Sequence, residues 1–431
     1  MNRRRFLKYV GAGLVAAGAA GAAAGAYYFC KSARTPTPVS TETATSARTT
    51  MSRQGYPLLG NYDHWTYSIR RDEVEYFARW NMVALNFETA AYAPTALKMI
   101  RSLNPSIKIL AWISLGIWSQ FAMSSESLIG VFLGASTEDW WIHKQGTADP
   151  YLRRFQMVPW YPGLVTPNPK SEFADHIVKF LQEEVVSTDL YDGVFYDCCW
   201  DDGWISQRLT DTDITPSEYR EGIANILKNT REKFGPNFII LGNPGVEWNE
   251  DCRYWQYANG HYQENALGDV FGSNWNNMWE IYQRNMGKPP PPTRFHWIGV
   301  DTQCKRERGT FENVTRLDLT EDDLRRMRLG LGTSLLLDNG FFGFDKGDGW
   351  HGYGEQWWFS EYDANLGMPK GNYEKASDGT YRRRYDNGIV IVNSGSNKII
   401  DLDARYRDST TSEIVNQIAI PSEDARILVE V

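Results

Sequence analysis

The sequence predicts an α/β protein: a (β/α)8 TIM barrel with a small C-terminal all-β domain. Three observations carry this reading. From Tyr56 onward, short apolar runs alternate with segments of helical period, the pattern of repeated βα units. Eight such runs are spread over roughly 300 residues, which matches the size and order of a barrel. After about Gly354 the pattern changes to short alternating strands. A doubly wound open sheet is the structural alternative, but no Gly-rich phosphate loop follows the first run to support it.

The strand candidates are 56–65 (YPLLGNYDHW), 82–88 (MVALNFE), 108–116 (KILAWISLG), 192–197 (DGVFYD), 238–244 (FIILGNP), 257–265 (YANGHYQEN), 294–301 (RFHWIGVD) and 333–343 (TSLLLDNGFFG). The helices between them have recognisable starts. Thr215-Pro216-Ser217-Glu218 places a capping hydroxyl, a proline at the first helical position and a carboxylate in the first turn. Tyr219, Ile223, Ile226, Thr230 and Phe234 then keep one face toward a core. Thr320 with Asp323 opens a second helix, with Leu324, Met327 and Leu331 as its stripe. Ser171 to Val186 forms a third, with Phe173, Ile177, Phe180 and Leu181 inward. Residues 117–168 exceed the minimal unit and carry Trp118, Trp140, Trp141, Trp160 and Tyr161; long loops at that end of a barrel strand are usually functional. The final strands fall at 382–395, 398–406 and 425–431.

The N-terminus has a different composition. Asn2 to Lys8 (NRRRFLK) precedes an apolar Gly/Ala-rich run from Tyr9 to Phe29, the layout of a twin-arginine export signal with Arg3 and Arg4 as the pair. Cleavage after Ala26 and retention as a membrane anchor both remain open. Tyr27-Tyr28-Phe29 lacks the small residues that lipid attachment at Cys30 would need. Lys31 to Thr50 is rich in Ser, Thr and Pro and cannot bury enough surface to fold. The expected units are therefore an export signal or anchor at 1–29, a linker at 30–51, a catalytic barrel at 52–353 and a β domain at 354–431. The expected location is extracellular or at the cell surface, with membrane contact only through the N-terminal segment.

Loss of residues 1–26 removes Arg3, Arg4, Arg5 and Lys8 and no acid, taking the formal charge from −8 to −12. So acidic a protein is a poor partner for nucleic acid, whose phosphates demand a basic surface. The 5 Cys (Cys30, Cys198, Cys199, Cys252, Cys304) show no metal-ligand spacing, and one disulfide is open in an oxidising compartment. The 17 Trp and 23 Tyr exceed what core filling explains, and sugar-stacking surfaces are one explanation.

In a barrel, polar residues at the carboxyl ends of strands face the site. They are Asp63 and His64, Glu88, Asp197, Asn243, Glu264, Asp301 and Asp338, mostly acids. Carboxylates converging from separate strands suit glycosidic bond cleavage, where one acts as acid and another as nucleophile or base. Saccharide-binding candidates are those flanking acids and Asn243 together with Trp118, Trp200, Asp201, Asp202, His261 and Trp350. Each also has a plainer reading. Asp192 suits a turn; Asp201 and Asp202 suit a cap or solvated surface; Cys198 and Cys199 suit small packing residues; Trp80 and Trp112 suit core. Asp345 and Asp348 lack the further ligands of a calcium loop, so no metal is assigned, and no organic cofactor is expected.

The Asp-Gly-apolar-aromatic-aromatic-Asp run of 192–197 resembles the fourth strand of several barrel glycoside hydrolases. EYDANLGMPKG (361–371) followed by YRRRYDNGIVIVN (381–393) is similar to the tail of a family of hypothetical barrel glycosyl hydrolases defined largely from sequence. The resemblance covers most of 55–395, carried also by HYQEN (261–265) and LLLDNGFFGFD (335–345). By wider analogy with the α-galactosidase and α-glucosidase clan, it implies Asp197 as nucleophile and Glu264 as general acid/base. That clan has Asp where Glu264 stands, which leaves retention versus inversion open. The expected activity is hydrolysis of an extracellular or cell-surface polysaccharide or oligosaccharide. The alternative is a catalytically silent glycan-binding barrel of the cell envelope. A metal-dependent deacetylase would need a His/Asp cluster that 6 scattered His do not suggest.

Overall fold

A computed structural model describes residues 55–63, 68–119, 128–146, 154–156, 164–201, 204–249, 251–264, 266–268, 274–288, 294–303, 319–347 and 357–431. Eight strands, β1 (Leu58–Asp63), β2 (Met82–Asn86), β3 (Lys108–Ser114), β4 (Gly193–Asp197), β5 (Ile239–Gly242), β6 (Gly260–Gln263), β7 (Phe295–Gln303) and β8 (Gly340–Gly347), close a barrel. All neighbours are parallel, and β8 closes on β1 through Leu58↔Phe341. Because side chains alternate along a strand, every second residue points into the lumen. Tyr62, Leu110, Phe195, Leu241, Tyr262, Trp297 and Phe341 fill it as one buried cluster. Space there is tight: a Cβ on Gly299 would sit 2.0 Å from the Tyr262 hydroxyl oxygen, so the tyrosine ring requires glycine beside it.

The intervening residues of each strand face the surrounding helices, α1 (Arg71–Phe77), α2 (Pro94–Leu103), α3 (Phe173–Phe180), α4 (Pro216–Phe234), α5 (Trp275–Met286) and α6 (Glu321–Ser334). The helix starts follow the sequence. Thr215 Oγ1 accepts the Glu218 N–H at 3.2 Å while Glu218 Oε2 accepts the Thr215 N–H at 3.0 Å, a reciprocal cap on α4. Thr320 and Asp323 repeat the arrangement on α6. Tyr219, Ile223, Ile226 and Thr230 on α4 are buried, as their spacing predicts.

The predicted eighth strand requires a correction. Strand β8 begins at Gly340, not Thr333, because Thr333 and Ser334 end α6 and the buried Leu335 and Leu336 complete its packing. Asp338 therefore lies in the turn before the strand, at the amino end of the barrel, where it pairs with Arg383. It is not at the carboxyl end, and the acid that β8 places there is Asp345.

The excursion after β3 packs its aromatic residues onto α3 and into the core between the barrel and its helices. Trp118 stacks on Phe132 at 4.5 Å, Phe132 meets Phe173 and Phe180 of α3, and Trp140 and Trp141 are 2% exposed. His143 bonds Asp213 at 2.8 Å and Glu138 at 3.1 Å, tying the excursion to the segment before α4. The C-terminal unit is a six-stranded sheet: β9 (Glu374–Lys375), β10 (Tyr381–Tyr385), β11 (Gly388–Asn393), β12 (Lys398–Asp408), β13 (Ile414–Ile420) and β14 (Asp424–Glu430), in the order β9-β10-β11-β14-β12-β13. It docks on α6, where Arg328 donates to both Asp424 oxygens at 2.8 and 2.9 Å in a buried pair. Among the described residues no helix is long and apolar enough to cross a membrane. The expected signal, anchor and linker lie outside those residues, as do Cys30 and Cys304.

Candidate active site

The lumen pattern fixes which strand-end residues converge. Phe195, Leu241 and Tyr262 point inward. Two residues further on, the same face carries Asp197, Asn243 and Glu264. By the same count β7 presents Asp301 and β8 presents Asp345, which are register partners on adjacent strands. The floor beneath is aromatic: Tyr62 stacks on Phe195 at 4.8 Å and meets Tyr262 edge-on at 5.2 Å. Trp112 Nε1 donates to the Tyr62 hydroxyl at 2.9 Å.

Hydrogen bonds connect the polar layer. Asp197 Oδ1 accepts the Cys198 N–H at 2.8 Å and an N–H of Asn243 Nδ2 at 2.8 Å. Asn243 Nδ2 also donates to Glu264 Oε2 at 3.2 Å. These two carboxylate oxygens are therefore separated by no more than the two bonds laid end to end. Asn243 Oδ1 accepts the Gly245 N–H at 2.8 Å, and the Gly245 carbonyl accepts the Glu264 N–H at 2.8 Å. The ends of β5 and β6 are thus fastened to each other.

The field of this layer is felt by the phenols below it. Burial pushes Tyr62 well above its ordinary value, and the charges of Asp197 and Glu264 push it further. Burial does the same to Tyr262, joined by Glu264, Asp301, Asp345 and Asp197. Both stay neutral, so the floor carries no charge of its own. Cys198 sits in the left-handed region (φ 53°), which turns its N–H toward the Asp197 carboxylate. Burial, then Asp197, drives its thiol far above the ordinary range, and Cys199 is buried likewise. Space also favours small side chains: a Cβ on Gly116 would lie 2.6 Å from Cys198 Cβ and 2.4 Å from the Trp200 ring. Cys198, Cys199 and Cys252 are free thiols. Among the described residues no group of three or more His, Cys, Asp or Glu is arranged to hold a metal ion.

Of the sequence candidates, Asp197, Asn243, Glu264 and Asp301 converge, and half-buried Trp200 lies against Gly116 and Cys198 beside them. Several others lie elsewhere. Asp63 follows inward Tyr62, so it turns toward the helices, where its charge acts on Tyr76 of α1. Glu88 Oε1 accepts the Ile129 N–H at 3.3 Å and anchors the excursion; burial raises its carboxyl. Trp118 is excursion core, not a stacking platform. Asp201 Oδ2 accepts the Asn249 N–H at 2.9 Å, bracing a loop. His261 precedes inward Tyr262 and so lies behind the wall, fully buried against Trp248, Trp255 and His296. Asp338 is at the opposite end. His64, Asp202 and Trp350 lie outside the described residues, as do Trp160, Tyr161 and Asp348. Asp345 is the acid that sequence reasoning missed as a site residue; its signal is the two-residue spacing from Phe341 through Gly343.

The model of Hypothetical glycosyl hydrolase family 15 matches residues 101–389, well over half of the chain. The chain belongs to this family. Its class of activity is glycoside hydrolysis. No curated protein is significantly similar in sequence. Among solved structures, the fold is similar to isomaltulose synthase SmuA from Protaminobacter rubrum, with 8% identity and TM-score 0.50 over 86% of this chain and 99% of that one. Weaker likenesses include the isomalto-dextranase of Arthrobacter globiformis T6 complexed with panose (10% identity, TM-score 0.45, 90% and 76% covered). The GH36 α-galactosidase AgaA of Geobacillus stearothermophilus, in complex with stachyose, has 10% identity and TM-score 0.44 over 89% of this chain. This chain spans 57% of the length of that α-galactosidase. At such identities the likeness is one of fold.

Proposed function

We propose that this family member hydrolyses glycosidic bonds of a polysaccharide or oligosaccharide by double displacement, with Asp197 as nucleophile and Glu264 as general acid/base. The supporting observation is that one amide nitrogen reaches both carboxylates, at 2.8 and 3.2 Å. The two bridged oxygens therefore lie closer together than the roughly 6.5–9.5 Å that separates inverting carboxyl groups, which favours the roughly 5–5.5 Å spacing of a retaining pair. In the first step an Asp197 oxygen bonds the anomeric carbon as the glycosidic C–O bond breaks, and Glu264 passes its proton to the departing oxygen. In the second, Glu264 takes a proton from water, which attacks the same carbon and releases Asp197. Asp301 and Asp345 bind sugar hydroxyls, and Trp200 offers a face for sugar C–H groups.

The Arg3-Arg4 signal supports export by the twin-arginine route, with the enzyme released or anchored outside the cytoplasm and acting there on a cell-surface or extracellular glycan. The test is a panel of polysaccharides and oligosaccharides assayed for new reducing ends with the parent, Asp197→Asn and Glu264→Gln. The parent cleaves and both variants lose activity if the reading holds. Variants as fast as the parent would remove the pair; glycan binding without cleavage by the parent would favour a silent barrel.

A further inference from the structure

The sequence expectation for Asn243 is contact with substrate, but its side chain is already committed. An amide oxygen and nitrogen are told apart by their partners. The Gly245 N–H can only donate, so the atom facing it at 2.8 Å is Oδ1, and the NH2 group faces the acids. That group has two hydrogens and two acceptors, Asp197 Oδ1 and Glu264 Oε2. The residue is 2% exposed and stands between the carboxylates it joins. Its backbone is fixed as well, since its N–H donates to the Tyr196 carbonyl and its carbonyl accepts the Cys199 N–H.

We infer that Asn243 is a positioning residue that holds Asp197 and Glu264 as a pair, spacing them through one neutral amide; this rests on the catalytic roles proposed for those two acids. Two carboxylates this close repel, and a donor shared between them offsets the repulsion without adding charge. During turnover the charge shifts. Asp197 becomes a neutral ester while Glu264 becomes a carboxylate, and then the reverse. A neutral donor bonded to both serves each state, whereas a cation would favour the doubly ionised one. The bond from Gly245 to Asn243, and from Glu264 back to Gly245, closes a loop that prevents the amide from turning over.

The experiment is steady-state kinetics across pH on the full chain, with the best substrate of the glycan panel, for the parent, Asn243→Asp, Asn243→Ala, Asp197→Asn and Glu264→Gln. A misplaced catalytic pair costs on the order of 100-fold in kcat, so Asn243→Asp and Asn243→Ala fall by that factor while KM stays within about 3-fold. Asn243→Asp has a signature that packing loss does not produce. The substituted carboxyl regains a donor O–H when protonated, so its rate relative to the parent recovers as pH falls. Asn243→Ala shows no such recovery. If Asn243→Asp does not fold, the fall in kcat at constant KM of Asn243→Ala carries the test. With Asp197→Asn and Glu264→Gln inactive, a kcat within about 3-fold of the parent at every pH for the Asn243 variants overturns the inference and leaves the catalytic pair standing. Active Asp197→Asn and Glu264→Gln variants, or a parent that cleaves no glycan, overturn the pair and the inference together.

Discussion

At the amino end of the barrel Asp192 and Asp338 each face an arginine; at the carboxyl end Asp197 and Glu264 face an amide. Asp192 Oδ2 accepts from Arg101 at 2.9 Å and from the Ile109 N–H at 2.8 Å, joining α2 to β3 and β4. Asp338 is joined to Arg383 of β10, across the seam with the sheet domain. A guanidinium bound to a carboxylate fixes its geometry, which suits a fastener. A neutral amide also fixes geometry but permits the carboxylate to change its charge. Both ends carry carboxylates, and the partner is what distinguishes the structural pairs from the proposed catalytic one.

The comparison can be broken most severely at the carboxyl end. Asp197→Asn should lower kcat on the order of 10⁴-fold with the melting temperature held, measured by reducing-end assay and calorimetry. Glu264→Gln should cost roughly 10²–10⁴-fold and spare substrates whose leaving group needs no proton. The arginine-held class should answer in stability. Arg328→Leu leaves Asp424 buried with Arg426 as its remaining cation, and should cost about 3 kcal/mol in denaturant unfolding, with activity per folded molecule retained. Asp338→Asn takes the carboxylate from Arg383, which is 3% exposed but keeps the Gly371 and Leu335 carbonyls as acceptors, and should cost about 1–2 kcal/mol and leave turnover unchanged.

A pH prediction separates the two faces of β6. Burial holds His261 down to about 3, and His296 is depressed as well, against roughly 6.5 in an unfolded chain. The folded state therefore binds fewer protons than the unfolded one below pH ~6.5, so stability is full above that value and is lost as pH falls toward 3, at about 1.4 kcal/mol per pH unit per proton. His261→Gln should flatten the slope of unfolding free energy against pH over that window. It should leave the pH–rate curve in place, because His261 faces away from the lumen.

The barrel was legible in the alternation of apolar runs with capped helices, and the starts at Thr215 and Thr320 were legible in side-chain chemistry alone. The convergence of the candidate site was legible in part. Asp197 closes a strand with unmistakable parity, since Phe195 and Asp197 share a face. Parity also places His261 and Asp63 on the other face, opposite Tyr262 and Tyr62, but only once the inward residue is known. The tryptophans of the excursion misled because an insertion of this size must pack onto the helical layer, and Trp118, Trp140 and Trp141 are buried in that shared core. Asp345 was hidden by Leu335 and Leu336, whose apolar run belongs to the end of α6 and shifted the apparent strand toward its N-terminus. The partnership of Asn243 depends on two strand ends meeting in space, which no local pattern encodes.

The account turns on Asp197 forming a covalent bond to sugar. An activated 2-fluoro glycoside of the sugar released from the panel substrate slows the second step more than the first and so accumulates any glycosyl-enzyme. Peptide mass mapping of the inactivated protein should find one glycosyl adduct, on Asp197, with none formed by Asp197→Asn. An adduct on another residue, or a first-formed product of inverted anomeric configuration by NMR, would contradict it.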